Sequence, residues 1–180
     1  VVDYKTGSIT ADAKSYYLGL KLQMELYMSA VRGEKIPAGV LYFPASVDFT
    51  DKEKAEGKFR MKGFLNSDTA AIHCGDTTMS GKTSEHFNAT GANVMPGEMF
   101  NEFLDYALYV SRGATKELKK GYIAPSPVGM STHHACTYCK FGGMCGYHES
   151  RQKARNVGRT SAKSVVEVVK KHKQEEEKDE

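Results

Sequence analysis

An acid and an amine stand close together near the start of the chain, at Asp3 and Lys5. They follow two β-branched residues and precede Gly7, a pattern typical of a short buried strand. Because side chains alternate between the two faces of a strand, Asp3 and Lys5 should point the same way, roughly 7 Å apart along the strand. Together the carboxylate could hold a hard divalent cation, and the amine could orient or deprotonate a water beside it. The alternative is a surface ion pair at the end of a strand.

A second group of polar side chains lies in the segment 13–32, which reads AKSYYLGLKLQMELYMSAVR. Apolar residues recur there at three- and four-residue spacing, which predicts one largely buried helix capped by Asp12 or Thr10. One stripe of that helix would consist of Tyr16, Leu20, Gln23, Tyr27 and Ala30. Gln23 and Tyr27 should therefore lie one turn apart on an inner face. The alternative is a core helix with a hydrogen-bonded glutamine.

Taken together, the two motifs resemble the RecB-like branch of the PD-(D/E)XK nuclease superfamily. Asp3 and Lys5 match the second acid and the lysine of its active-site motif, and Gln23 and Tyr27 match its Q-x-x-x-Y motif. The resemblance implies an α/β fold with a restriction-endonuclease-like mixed sheet flanked by helices. The first metal-binding acid of that family would precede Val1, as would an upstream helical His or Glu. We therefore expect an N-terminally truncated domain that belongs to a longer polypeptide.

The chemistry that the resemblance implies is Mg²⁺-dependent hydrolysis of phosphodiester bonds in DNA. Asp3 and the backbone carbonyl of Tyr4 would bind Mg²⁺ together with the upstream acid. Lys5 would orient the attacking water and stabilise charge that develops on the phosphate. Gln23 and Tyr27 would position the metal-bearing strand or the DNA strand. Because a metal site that lacks one carboxylate loses affinity, we expect this chain alone to have little or no activity.

Three of the four cysteines form the pattern C-x2-C-x5-C, at Cys136, Cys139 and Cys145. Tight turns at Gly142 and Gly143 would let their thiolates converge on a tetrahedral zinc ion or an iron–sulfur cluster. A disulfide framework is the weaker alternative, because we expect an intracellular chain. Three thiolates need a fourth ligand, and the candidates within this chain are Cys74, His133, His134 and His148.

The order of these motifs over 1–147 is similar to that of the AddB family, a subunit of bacterial AddAB helicase-nucleases. In that family the three cysteines hold a [4Fe–4S] cluster with a fourth cysteine from far upstream, which here would precede Val1. The resemblance implies DNA, an AddA-type subunit and the rest of the polypeptide as partners, in double-strand-break repair by homologous recombination. CRISPR-associated exonucleases of the same branch are one alternative. A non-catalytic zinc-knuckle module that binds nucleic acid or protein is another.

The bulk composition suits a globular domain. A length of 180 residues fits one domain, and the hydrophobic and charged fractions of 40% and 26% are ordinary for a soluble protein. The net charge of +3 is too small to indicate nucleic-acid binding by itself. No apolar run approaches the roughly 20 residues of a membrane helix. We therefore expect a cytoplasmic protein that does not contact a membrane.

The remaining segments predict further strands and one long helix. Alternating and apolar runs predict strands at 40–49 and 58–65, and the segment 69–74 could pair back on the second of these as a hairpin. The segment 97–120 predicts a helix. Its apolar stripe would consist of Met99, Phe100, Phe103, Leu104, Ala107 and Leu108.

The motifs also divide the chain. We expect a partial nuclease domain over 1–147, which includes a cysteine region at 131–147. The segment 148–180 is basic and then densely charged, which predicts a solvated tail that is partly helical or disordered. The alternative is that the basic part of this tail contacts DNA or a partner protein.

Overall fold

The computed structural model describes residues 1–7, 10–46, 59–79, 84–130 and 133–179. Its helices are α1 (Ala13–Tyr17), α2 (Gln23–Val31), α3 (Thr69–Gly75), α4 (Gly97–Lys119) and α5 (Ala162–Asp179). Its strands are β1 (Val2–Lys5), β2 (Gly39–Pro44), β3 (Lys62–Asn66), β4 (Val94–Met95), β5 (Gly129–Met130) and β6 (His133–His134). A short 3-10 helix covers Ala135–Tyr138.

Strands β1 to β4 form one mixed sheet in the order β1-β2-β3-β4. β1 runs parallel to β2 with Asp3 opposite Tyr42, and β2 runs antiparallel to β3 with Val40 opposite Phe64. β3 then runs parallel to β4. This mixed sheet with flanking helices confirms the predicted α/β class. Within the described residues β1 lies at one edge of the sheet, whereas the sequence predicts a buried strand.

Apolar side chains pack on both faces of the sheet. The larger core lies under α1, α2, α4 and α5, where the ring of Phe103 lies 4.4 Å from that of Tyr16 and 4.6 Å from that of Phe64, between centroids. The smaller core, on the other face, consists of Leu41, Leu65, Ile72, Met79, Phe87 and Ala89. Neighbouring β2 residues Val40 and Leu41 belong to different cores, as the alternation of strand side chains requires.

The segment 13–32 forms two helices, so the prediction of one continuous helix is wrong. Gly19 has a φ of +78°, and its N–H donates to the Tyr16 carbonyl while that of Leu20 donates to the Ser15 carbonyl. These two bonds make a Schellman motif, which satisfies the last carbonyl groups of α1. The chain becomes helical again at Gln23, and the buried residues of α2 are Met24, Glu25 and Met28.

The segment 69–74 is also different from the prediction, because it forms α3 rather than a hairpin strand. The Asp68 carboxylate accepts a hydrogen bond from the N–H of Ala70 at 2.9 Å and so caps the helix. α3 buries Ala71 and Ile72.

The strands predicted at 40–49 and 58–65 are both present in shorter form, as β2 and β3. Positions 47–49 and 58 lie outside the described residues.

The long helix predicted at 97–120 is confirmed by α4, whose fully buried side chains include Phe100, Phe103, Leu104 and Ala107. α5 packs along α4 and buries Val165, Val166 and Val169 in the larger core. The sequence predicts a solvated tail here, and the structure instead places the apolar face of α5 against the rest of the domain. Across the described ranges, no helix has both the length and the apolar character needed to cross a membrane.

Candidate active site at the edge of the sheet

Asp3 and Lys5 point to the same side of β1, as the alternation predicts. Lys5 Nζ lies 2.6 Å from Asp3 Oδ2, and the side chains of Lys5 and Asp3 are 43% and 34% exposed, respectively. An ion pair this exposed contributes at most about 1 kcal/mol to folding stability. The pair therefore adds little to the stability of the fold.

One oxygen of the Asp3 carboxylate, Oδ2, is balanced by an ion pair rather than by a hydrogen bond. It is buried without a hydrogen-bond donor among the described residues, and the Lys5 ammonium lies 2.6 Å from it. A buried carboxylate oxygen needs a cation or a proton to compensate it, and a divalent cation could take over this role from Lys5. Carboxylate oxygens are also the ligands that Mg²⁺ prefers. The Asp3 carboxylate therefore fits a divalent cation.

The backbone carbonyl of Tyr4, the residue that follows Asp3, faces the open side of β1. The carbonyls of Val1 and Lys5 accept hydrogen bonds from the β2 side, at 3.0 and 2.8 Å. Carbonyl directions alternate along a strand in a parallel ladder, so the Tyr4 carbonyl points away from β2. It is thus available as a second oxygen ligand next to Asp3.

Gln23 and Tyr27 lie in the first half of α2 and bind each other. The Gln23 Nε2 donates a hydrogen bond to Tyr27 Oη at 2.8 Å. Both side chains are exposed, Tyr27 by 52%, so the predicted placement on an inner face is wrong. Gln23 nevertheless lines a cavity of about 340 Å³ together with Lys5. Tyr27 is connected to this cavity through its hydrogen bond to Gln23.

Tyr42 lines the same cavity and was not identified from the sequence. It stands opposite Asp3 in the β1–β2 register, and Lys5 Nζ lies 5.7 Å from its ring centroid, within cation–π range. Burial, with the carboxylates of Glu25 and Asp3, raises the pKa of Tyr42 to about 12. The hydroxyl therefore stays protonated at neutral pH. Only the pairing of β1 with β2 reveals this neighbour.

Glu25 is a second residue that was not identified from the sequence. Its side chain is 2% exposed on the inner face of α2, and Oε2 has no hydrogen-bond partner among the described residues. Burial raises the pKa of Glu25 to about 7. After burial itself, the Glu25 charge is the next largest cause that raises the pKa of Tyr16. The sequence signal that could have identified Glu25 is its position on the helix face that also carries Met24 and Met28.

The cysteines of the C-x2-C-x5-C pattern lie on a compact turn. Cys136 belongs to the 3-10 helix, the N–H of Cys139 donates to its carbonyl at 3.2 Å, and the N–H of Cys145 donates to the Phe141 carbonyl at 3.1 Å. Partial burial, followed by the charges of Cys145 and Cys139, raises the pKa of the Cys136 thiol. The Cys139 and Cys145 side chains therefore both lie close enough to affect the charge of Cys136. None of the four cysteines forms a disulfide bond.

These thiols suit zinc or an iron–sulfur cluster by donor type. Over the described part of the chain, however, no three His, Cys, Asp or Glu side chains are grouped closely enough to hold a metal ion. Of the candidate fourth ligands, His148 forms a hydrogen bond between its Nδ1 and Ser150 Oγ at 2.8 Å, and Cys74 lies on α3. The side chains of His133 and His134 lie outside the described residues. The donors fit a metal centre, whereas their arrangement does not yet form one.

Comparison with known families decides the class of this domain. The sequence profile of the PD-(D/E)XK nuclease superfamily matches residues 1–146. The chain belongs to the PD-(D/E)XK nuclease superfamily. The matched range includes β1, α2 and the three clustered cysteines, and it confirms the resemblance drawn from the two motifs.

The chain is also similar to AddB proteins, each named as a subunit of an ATP-dependent helicase/deoxyribonuclease. The relative from Lachnoclostridium phytofermentans is 27% identical over 178 aligned positions, which cover 82% of this chain and 16% of that protein. Relatives from Bacillus cereus and Bacillus anthracis are 28% identical over 179 positions, which cover 83% of this chain and 15% of each relative. The chain thus spans about one sixth of the length of the curated relatives it matches. These similarities agree with the AddB-like order of motifs.

Proposed function

We propose that this chain is part of the DNA exonuclease domain of an AddAB-type helicase-nuclease and that the domain hydrolyses phosphodiester bonds with Mg²⁺. The observation that carries this proposal is the Asp3–Lys5 pair on one face of β1, with Gln23 at the same cavity. Membership of the nuclease superfamily and the name of the relatives support the same chemistry.

Each residue of the site has a role in this proposal. Asp3 and the Tyr4 carbonyl would hold Mg²⁺, which when bound supplies the charge that polarises the phosphate and lowers the pKa of a water. Lys5 orients that water and stabilises negative charge as it develops on the phosphate. The bond between Gln23 and Tyr27 fixes the amide that lines the cavity and so positions the DNA strand.

A further carboxylate would complete the metal site. Mg²⁺ is usually bound by one or two carboxylates together with waters and substrate phosphates. In the described residues Asp3 is not grouped with other acids in a metal site. We propose that the rest of the polypeptide supplies this further carboxylate, the first acid of the family motif, at the open edge of β1. This chain alone should then cleave DNA weakly or not at all.

The same proposal assigns partners and a place in the cell. DNA is the substrate, and an AddA-type subunit and the rest of the polypeptide are the protein partners, in double-strand-break repair by homologous recombination in the cytoplasm. Cys136, Cys139 and Cys145 would hold a [4Fe–4S] cluster whose fourth cysteine lies outside this chain. The relatives are named as parts of a helicase/deoxyribonuclease, which supports the helicase partnership.

The test is Mg²⁺-dependent cleavage of linear DNA by the 180-residue chain and by a longer polypeptide that supplies the upstream segment. Lys5→Ala should lower cleavage by the longer polypeptide about 100-fold or more, because charge stabilisation in the transition state is lost. Lys35→Ala removes an exposed lysine from a turn away from the cavity and is the matched control.

The outcomes separate two parts of the proposal. Equal cleavage by the longer polypeptide with and without Lys5 overturns the nuclease assignment of this site. Robust cleavage by the 180-residue chain alone, lost on Lys5→Ala, supports the assignment but contradicts the need for an outside acid.

A further inference from the structure

The cavity beside Lys5 has an unbalanced charge. Among the described residues that line it, the charged side chains are Lys5 and Lys21, and no carboxylate is present. Asp3 neutralises Lys5 at 2.6 Å. Lys21 is thus a cation for which the described lining of the cavity supplies no counter-charge.

The break between α1 and α2 places Lys21 at the cavity. The Schellman motif at Gly19 ends α1, so Lys21 lies in an irregular segment rather than on the side of a long helix. Its Nζ donates to the carbonyl of Thr10 at 2.7 Å and lies 3.8 Å from Asp12 Oδ2. The Lys21 side chain is therefore held in place beside the cavity.

The local partners of Lys21 leave most of its charge available. The Thr10 carbonyl is neutral, and the Asp12 carboxylate is at the distance limit of an ion pair, with both side chains partly exposed. Such pairs are weak in water. The other Asp12 oxygen is occupied at 2.7 Å by the N–H of Ser15, which it caps. An anion that enters the cavity would therefore meet a positioned ammonium group.

The size and lining of the cavity fit one nucleotide unit. Its volume of about 340 Å³ lies at the lower end of the range for ligand sites, roughly 300–1,000 Å³. Leu20, Leu22 and the ring of Tyr42 give it apolar surface, against which a sugar or base can pack. Lysine and glutamine side chains supply the groups that bind phosphate oxygens.

We propose that Lys21 binds a phosphate group of the DNA strand and holds that strand in the cavity next to the Asp3–Lys5 pair. This inference rests on the proposed nuclease function and adds a binding residue to it. Lys21 acts on affinity and position, whereas Lys5 acts at the reacting phosphate.

The test measures binding without cleavage. A fluorescein-labelled single-stranded oligothymidylate is titrated with the chain in EDTA, and anisotropy gives its affinity at several salt concentrations. Lys21→Gln removes the charge and keeps a donor for the Thr10 carbonyl, so it should weaken binding about fivefold to tenfold and reduce the salt dependence by about one phosphate contact. Lys21→Arg should bind within about twofold of the wild type, because it keeps the charge. Lys35→Ala should leave affinity unchanged.

A second variant acts in the opposite direction and protects the test against loss of folding. Asp12→Asn removes the acid that the described residues place near Lys21 and keeps an equally good helix cap. It should tighten oligothymidylate binding by about twofold, because the field of Lys21 is then unopposed. Thermal unfolding of every variant is measured alongside.

The outcomes distinguish this inference from the proposed function. Wild-type affinity and salt dependence in Lys21→Gln overturn the inference and leave the roles of Asp3 and Lys5 untouched. Absence of binding by the wild-type chain also overturns it. Weakened binding in Lys21→Gln, together with a longer polypeptide that never cleaves DNA, supports the phosphate site and overturns the nuclease function.

Discussion

Replacing Glu25 by glutamine should flatten the pH dependence of folding stability. The pKa of Glu25 is about 7 in the folded chain because the carboxyl group is buried, against an ordinary value of 4.5. Between these two values the unfolded chain has released the proton and the folded chain retains it. The contribution that protonated Glu25 makes to the unfolding free energy is therefore fully present below about pH 4.5 and is lost as the pH rises through 7. The difference corresponds to about 3 kcal/mol of unfolding free energy.

The measurement is urea unfolding of the wild type and Glu25→Gln between about pH 4.5 and 8, followed by circular dichroism. A buried amide brings its own desolvation cost, but that cost does not change with pH. The difference in unfolding free energy between the two proteins should therefore shift by about 3 kcal/mol in favour of Glu25→Gln across this range. Glu34→Gln, at an exposed turn, is the matched control and should run parallel to the wild type. Parallel curves for Glu25→Gln would refute the assignment of a buried, titrating acid.

Two further predictions concern α5 and the cysteines. Val165→Ala should lower the unfolding free energy by about 2 kcal/mol, because Val165 is fully buried against α4. Lys163→Ala, at an exposed position of α5, is the control and should leave it unchanged. If Val165→Ala were as stable as the wild type, α5 would not be part of the core. Metal analysis of anaerobically prepared chain should find less than a full complement of iron, because the fourth cysteine is proposed to lie outside this chain, and Cys139→Ser should reduce it further. A brown preparation with stoichiometric iron would contradict this, and one zinc per chain without iron would favour the zinc-knuckle alternative.

Parts of the site that depend on local periodicity could be predicted. The same-side placement of Asp3 and Lys5 follows from strand alternation alone, and a 2.6 Å ion pair results. The long apolar stripe of α4 is equally local, since its spacing repeats over many turns.

The break inside 13–32 was missed because the apolar spacing continues across it. Gly19 was the signal, since glycine readily adopts the positive φ that ends a helix in a Schellman motif. This break decides the site, because it leaves Gln23 exposed and brings Lys21 to the cavity.

Other errors come from short or strongly charged segments. The short run 69–74 suits a strand or a helix equally, and the capping residue Asp68 was the available evidence for a helix. The valines of α5 follow helical spacing, but their burial depends on contact with α4. Tyr42 reaches Asp3 through strand register, which a single sequence does not reveal.

Binding of Mn²⁺, a paramagnetic substitute for Mg²⁺, tests most directly whether Asp3 forms part of a cation site. Water-proton relaxation is measured for the longer polypeptide that supplies the upstream segment, as the wild type, Asp3→Asn and Lys5→Ala. Asp3→Asn should lose binding, whereas Lys5→Ala should bind at least as tightly as the wild type, because the ammonium group no longer competes for Asp3 Oδ2. Undiminished binding in Asp3→Asn would contradict the metal site, and the Asp3–Lys5 pair would then be an ordinary surface ion pair.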